Sequence, residues 1–116
     1  MKRLLNSFKY AFKGISTLYK TGGNILIHFT AALIVLSMAY IFKVSAIEWT
    51  ILLICIAVVI AAEAMNTSIE KLTDMVSPDF NKEAGKIKDI AAGAVLVLAI
   101  MAAIIAIIIF YPYCCR

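Results

Sequence analysis

Charge is what this sequence has least of. Only 16% of its 116 residues are Asp, Glu, Lys or Arg, against about 25% in an ordinary soluble domain. Just 7 of them are acidic. Cysteine is sparse too, at Cys55, Cys114 and Cys115. Cys55 lies within an apolar run and reads as inert packing, and the adjacent Cys114 and Cys115 are poorly placed to staple a fold. The absence of any CxxC pair argues against a zinc site. Proline stands only at Pro78 and Pro112, so long stretches can run as unbroken helix. There is no GxxxxGK[ST] phosphate loop and no protein-kinase motif, nor any nucleic-acid fold motif. The start, MKRLLNSFKYAFKG, has no continuous apolar stretch after its basic residues and is not expected to be a signal peptide.

What is present is hydrophobic surface. Apolar residues make up 64% of the chain, where about 45–50% is usual. A chain this short cannot hide that excess in one globular core, because small domains bury a limited share of their surface. The sequence therefore reads as an all-α membrane protein. No repeat, low-complexity tract or linker divides it, so one domain is expected over 1–116.

Four helical segments are expected. In the first, over 1–21, Leu4, Leu5, Phe8, Ala11, Phe12, Ile15, Leu18 and Tyr19 recur near the helical period. Lys2, Arg3, Lys9, Lys13 and Lys20 cover the other sides. A basic amphipathic helix of this kind lies in a membrane interface and favours anionic lipid. Thr21-Gly22-Gly23-Asn24 breaks it. Spans are expected over 25–42, 46–76 and 87–111, each long enough to cross a bilayer core, with Trp49 as an interface anchor. Five Lys and Arg precede the first span, and Lys71, Lys82, Lys86 and Lys88 gather in and around the second connection. The short first loop has only Lys43 and the C-terminus only Arg116. The N-terminus and the second connection are thus expected on the cytoplasmic side of the cell membrane, with the C-terminus outside. Three spans leave their polar groups poorly covered, so an oligomer is expected.

The sharpest feature is EAMNTSIEKLTD, residues 63–74, at the end of the second span. On a helix, Glu63, Glu70 and Asp74 fall within roughly 40° of one another, with Asn66 about 60° to one side. Glu63 and Glu70 are about 10 Å apart along the axis. A solvated helix end accounts for Asp74 and Lys71 but not for Glu63, which lies deeper, within apolar sequence. A carboxylate inside a span normally faces a partner or a wet cavity, and it suits a general base or a proton carrier. A second cluster, Lys82, Glu83, Lys86, Lys88 and Asp89, opens the third span. It could be a charged, snorkelling interface, yet beside the acidic stripe it is chemically complementary. Carboxylates can hold magnesium, lysines can hold phosphate, and a deep carboxylate can take the proton of a hydroxyl at the bilayer surface. The set suits phosphoryl transfer from a cytosolic nucleotide to a lipid alcohol. A proton or cation conductor using Glu63 is the poorer fit, because the rest of spans two and three lacks polar residues.

These residues resemble the small bacterial integral-membrane diacylglycerol kinases and their Gram-positive undecaprenol kinase relatives. The likeness covers nearly the whole chain. It rests on E-x-x-N-[ST]-x-I-E-x-x-x-D at Glu63, Asn66, Thr67, Ile69, Glu70 and Asp74. It rests also on [AG]-x-x-K-D-x-x-[AS]-x-A-V at Gly85, Lys88, Asp89, Ala92, Ala94 and Val95, and on SFKYAFKGI at Ser7 to Ile15. Asn24 and His28 fit the Gram-positive branch. The resemblance implies a three-span homotrimer with sites shared between subunits, using ATP and magnesium to phosphorylate undecaprenol or, failing that, diacylglycerol. It implies Glu63 as catalytic base, Glu70 as magnesium ligand, Asn66 as its hydrogen-bonding support and Lys88 on the transferring phosphate, with Asp89 beside it. Arg3, Tyr10 and Asp79 match nucleotide-contacting positions. Members commonly read Glu-Arg-Asn before span one, where this chain has Gly22-Gly23-Asn24. A metal-binding acid is thereby missing, and Asp74 or Glu83 is the candidate to stand in. The alternative is a catalytically impaired member that binds lipid or a partner.

Overall fold

A computed structural model describes residues 1–21 and 23–115. It contains four helices, α1 (Lys2–Thr21), α2 (Ile25–Phe42), α3 (Ala46–Val76) and α4 (Lys82–Cys114). The last three are long and apolar enough to cross a membrane, and among the described residues no strand occurs. The protein is an all-α membrane protein.

Helix lengths set the architecture. α2 has 18 residues, α3 has 31 and α4 has 33. At 1.5 Å per residue these are about 27, 46 and 50 Å. α3 and α4 therefore outrun α2 at one end, forming a projecting hairpin closed by residues 77–81. The most extensive helix contact is α3 on α4, α2 packs on α3, and α1 touches α2, where the Tyr19 and Phe29 rings lie 6.3 Å apart.

The best-packed core lies at the opposite end from that hairpin. Ala39, Val44, Leu52, Ile109 and Phe110 are buried together there. Phe42 sits 6.1 Å from both the Phe110 and Tyr113 rings. Local chemistry turns the chain tightly enough to allow this. Lys43 adopts a left-handed conformation that closes α2, and Ser45 with Glu48 forms a reciprocal capping box that starts α3. The Tyr113 hydroxyl donates to Glu48, fastening the end of α4 to the start of α3.

The third apolar helix is longer than the expected 87–111 at both ends. At its start, Asn81 accepts from the backbone N–H of Glu83 and Ala84, at 2.9 and 3.3 Å, so the charged cluster is helical rather than a loop. At its end, Pro112 removes one backbone bond, but the Tyr113 contacts hold the last turn through to Cys114. Replacing Asn81 with Ala is expected to cost about 1 kcal/mol. Thermal unfolding in detergent would register it as a lowered midpoint, and an unchanged midpoint would show that the cap contributes nothing.

Apolar side chains on α1, including Leu4, Phe8, Phe12 and Ile15, remain exposed within the chain. So do Leu33, Ile47, Leu53, Val97 and Ile107 on the spans. Such a surface has no reason to exist in water and fits contact with lipid or a neighbouring subunit.

Candidate active site

The acidic stripe of α3 divides at the level where the hairpin begins to project. Glu63 is 3% exposed and Asn66 6%, whereas Glu70 and Asp74 are exposed. Helical periodicity puts them on one side, and the packing of α2 and α4 against the lower part of α3 explains the split. Asn66 Nδ2 donates to Glu70 Oε1 at 2.8 Å, an i,i+4 pairing that fixes the Glu70 carboxylate against the helix. Thr73, also buried, donates its hydroxyl to the Ile69 carbonyl at 2.7 Å, which satisfies it within the helix.

Two buried acceptor atoms in this cluster have no hydrogen-bond partner, Glu63 Oε2 and Asn66 Oδ1. Buried polar atoms are normally paired, so an orphan at a cleft marks a place for a donor or ligand. From α2, His28 Nε2 lies 3.6 Å from Glu63 Oε2. His28 is a member of the cluster that the motif reading did not assign. The available signal was an ionisable residue inside a span.

Lys88 on α4 forms an ion pair with Asp74 on α3 across the hairpin. It does not pair with its neighbour Asp89. Glu83 is occupied by Lys86 at 3.2 Å. Asp74 and Glu83, the two acids that could stand in for the missing one, are thus each paired with a lysine of α4. Among the described residues, no group of three or more His, Cys, Asp and Glu side chains could hold a metal ion. Gly22, where the family pattern has an acid, lies outside the described residues. The residues that remain still fit a magnesium ion carried in on phosphates. Magnesium is commonly bound through one or two carboxylates, with substrate phosphates and water filling the other positions. Glu70, hydrogen-bonded to Asn66, is the carboxylate at the exposed end that could serve in this way.

Two grooves flank the cluster. An apolar one runs between the spans below Glu63, with His28, Ala32, Val35, Leu52, Val59 and Ala103 among its walls. A more polar one lies between α1 and α3, where Tyr10, Lys13, Thr17, Thr67, Ser68 and Lys71 line it. The α3 residues of the second groove lie about 60–160° around the helix from Glu70. Tyr10 belongs to that groove rather than to the stripe. Arg3 and Asp79 are exposed, and among the described residues no side-chain hydrogen bond or ion pair joins Arg3, Tyr10, Asp79 or Asp89 to the cluster. Arg3 and Asp79 each offer only a backbone carbonyl to a nearby hydroxyl, from Ser7 and Ser77 respectively.

The cluster thus joins a buried carboxylate, a hydrogen-bonded exposed one and a lysine paired to the same helix. Residues 9–110 match the family described as prokaryotic diacylglycerol kinase. The chain is 36% identical to an undecaprenol kinase of Bacillus subtilis, over 97% of this chain and 91% of that protein. It is 37% identical to a diacylglycerol kinase of Synechocystis, over 88% of this chain but only 59% of that longer protein. A diacylglycerol kinase of Escherichia coli K12 is 26% identical over 88% of this chain and 84% of its own length. With the match running from within α1 to near the end of α4, the chain belongs to the prokaryotic diacylglycerol kinase family.

Proposed function

We propose that the protein is an ATP-dependent lipid kinase whose first acceptor is undecaprenol and whose second is diacylglycerol. Kinase activity on a lipid follows from the family. The finer assignment is supported by the undecaprenol kinase relative, which aligns over nearly its whole length. The observation that carries the mechanism is the split stripe, with Glu63 buried and unpartnered at Oε2 and Glu70 exposed in the grip of Asn66.

In this reading the acceptor's chain enters from hydrocarbon and its hydroxyl reaches Glu63, while the nucleotide arrives from water beside Glu70. Glu63 accepts the hydroxyl proton as the lipid oxygen forms its bond to the terminal phosphorus. The bond from that phosphorus to the bridging oxygen breaks, and the nucleoside diphosphate departs. Lys88, kept on the α3 side by Asp74, offers a point charge to the transferring phosphate. Glu70 would hold magnesium, with Asn66 orienting it. Bound magnesium supplies charge neutralisation on the phosphate oxygens. Tyr10, Arg3, Asp79 and Asp89 are assigned to the nucleotide. Only 11–17% of the apolar window of each span is buried within the chain, which leaves surface for lipid and for the neighbouring subunits of a homotrimer in the cell membrane. The lysine-rich N-terminus and hairpin then face the cytoplasm.

The test is transfer of labelled γ-phosphate from magnesium ATP to each alcohol, with purified protein in mixed micelles. Undecaprenol should give the higher kcat/KM. Labelled product from neither lipid would remove the reading. Preference for diacylglycerol would reverse the order of acceptors and leave the kinase in place.

A further inference from the structure

We propose that His28 is a positioning residue for Glu63. On acceptor binding its ring closes from 3.6 Å to donate from Nε2–H to Glu63 Oε2 and so presents the other carboxylate oxygen to the acceptor hydroxyl at the head of the apolar groove. The inference rests on the reading of Glu63 as the base.

Four observations support it. The two groups are 3.6 Å apart, and both side chains are largely out of solvent, 16% exposed for His28 and 3% for Glu63. Among the described residues no hydrogen bond reaches Glu63 Oε2, so His28 is the group placed to satisfy it. A buried carboxylate left unpaired is costly, and an imidazole N–H is the donor that this site offers. The separation is slightly longer than a hydrogen bond. Catalytic hydrogen bonds are often long before substrate binds and tighten in the complex.

The third observation is how His28 is held. Ile25, at the start of α2, is fully buried, and the His28 backbone N–H donates to the Asn24 carbonyl at 3.2 Å. The ring thus rises from the first turn of a helix whose start is anchored. The fourth is that His28 belongs to the wall of the apolar groove, where hydrocarbon gives way to the carboxylate. His28 does not exchange a proton with substrate in this scheme, and its effect passes through Glu63.

The experiment uses the full chain in two measurements. In the first, His28→Leu removes the donor at similar bulk, and His28→Gln restores an N–H near the same reach. Leu should lower kcat by about 100-fold, as for a misplaced catalytic group, with KM for ATP unchanged. Gln should recover most of that loss. Thermal midpoints of both variants establish that they fold. Wild-type kcat in His28→Leu, or a well-folded Gln variant as slow as Leu, overturns the proposal.

The second measurement does not depend on turnover. His28 is the single histidine, so its imidazole nitrogens give isolated signals in nitrogen-15 spectra of ring-labelled protein. Glu63→Gln should move the Nε2 signal, while Glu83→Gln, on an exposed turn of α4, should not. An Nε2 signal indifferent to Glu63→Gln overturns the proposal. If the wild-type protein phosphorylates no lipid, the reading of Glu63 as base fails on the kinetics, and the spectra alone decide whether His28 engages it.

Discussion

Glu63→Gln should lower kcat for lipid phosphorylation by about 100- to 10,000-fold, the usual contribution of a positioned general base. The substitution keeps the shape of the side chain and removes its ability to accept a proton. Glu63 is 3% exposed, so its charged form carries a desolvation cost that a neutral amide relieves. Stability should therefore hold or rise. That combination separates a catalytic role from a structural one, because a variant that lost activity through unfolding would show a lowered midpoint. A Gln variant retaining a tenth or more of wild-type kcat would show that the proton goes elsewhere.

The second large effect concerns the metal. Chelating divalent cations should stop turnover, and Glu70→Gln should require far more magnesium to recover it. Asn66→Ala tests the geometry more narrowly. It leaves the Glu70 carboxylate in place and removes the Nδ2 donor 2.8 Å from its Oε1. Loss of an orienting partner behind a metal ligand typically costs 10- to 100-fold in metal affinity, so the activation curve should shift by about that factor. Gly22→Glu should move the curve toward lower magnesium by adding the acid common in family members before the first span. Large activation by Gly22→Glu would identify the native chain as catalytically impaired. A wild-type curve that is already saturated at low magnesium and unaltered by Gly22→Glu would show that one protein carboxylate suffices.

The features written in short-range periodicity were legible in the sequence. The amphipathic face of α1, the limits of α2 and the unbroken run of α3 through Glu63 follow from spacing and from the absence of any breaker before Ser77-Pro78. The Asn66–Glu70 pairing is expected only from the family resemblance, and the structure shows it as an i,i+4 contact. What required coordinates was contact between helices. His28 and Glu63 lie on different spans, and nothing local says that α2 brings the ring to that level of α3. Lys88 reads in sequence as the neighbour of Asp89, but the hairpin turns it to Asp74. The third span is expected from 87, but Asn81 caps α4 so that it begins at Lys82. Pro112 looks like a terminus until Tyr113 is found tied to Glu48. In both cases a few hydrogen bonds extend a helix beyond the point where composition alone would end it.

The unequal lengths of the helices act as a depth gauge. Counting from Ala46, Glu63 stands about 26 Å along α3 and Glu70 about 36 Å, so for an upright helix entering hydrocarbon at Ala46 the far edge of a layer of about 30 Å falls between them. A thicker membrane draws the second carboxylate toward lipid, and a thinner one lifts the first toward water, unless the helices tilt at a cost of fractions of a kcal/mol per ångström of mismatch. Bilayer thickness thus bears directly on whether a hydroxyl buried in lipid and a phosphate dissolved in water can meet across two turns of one helix.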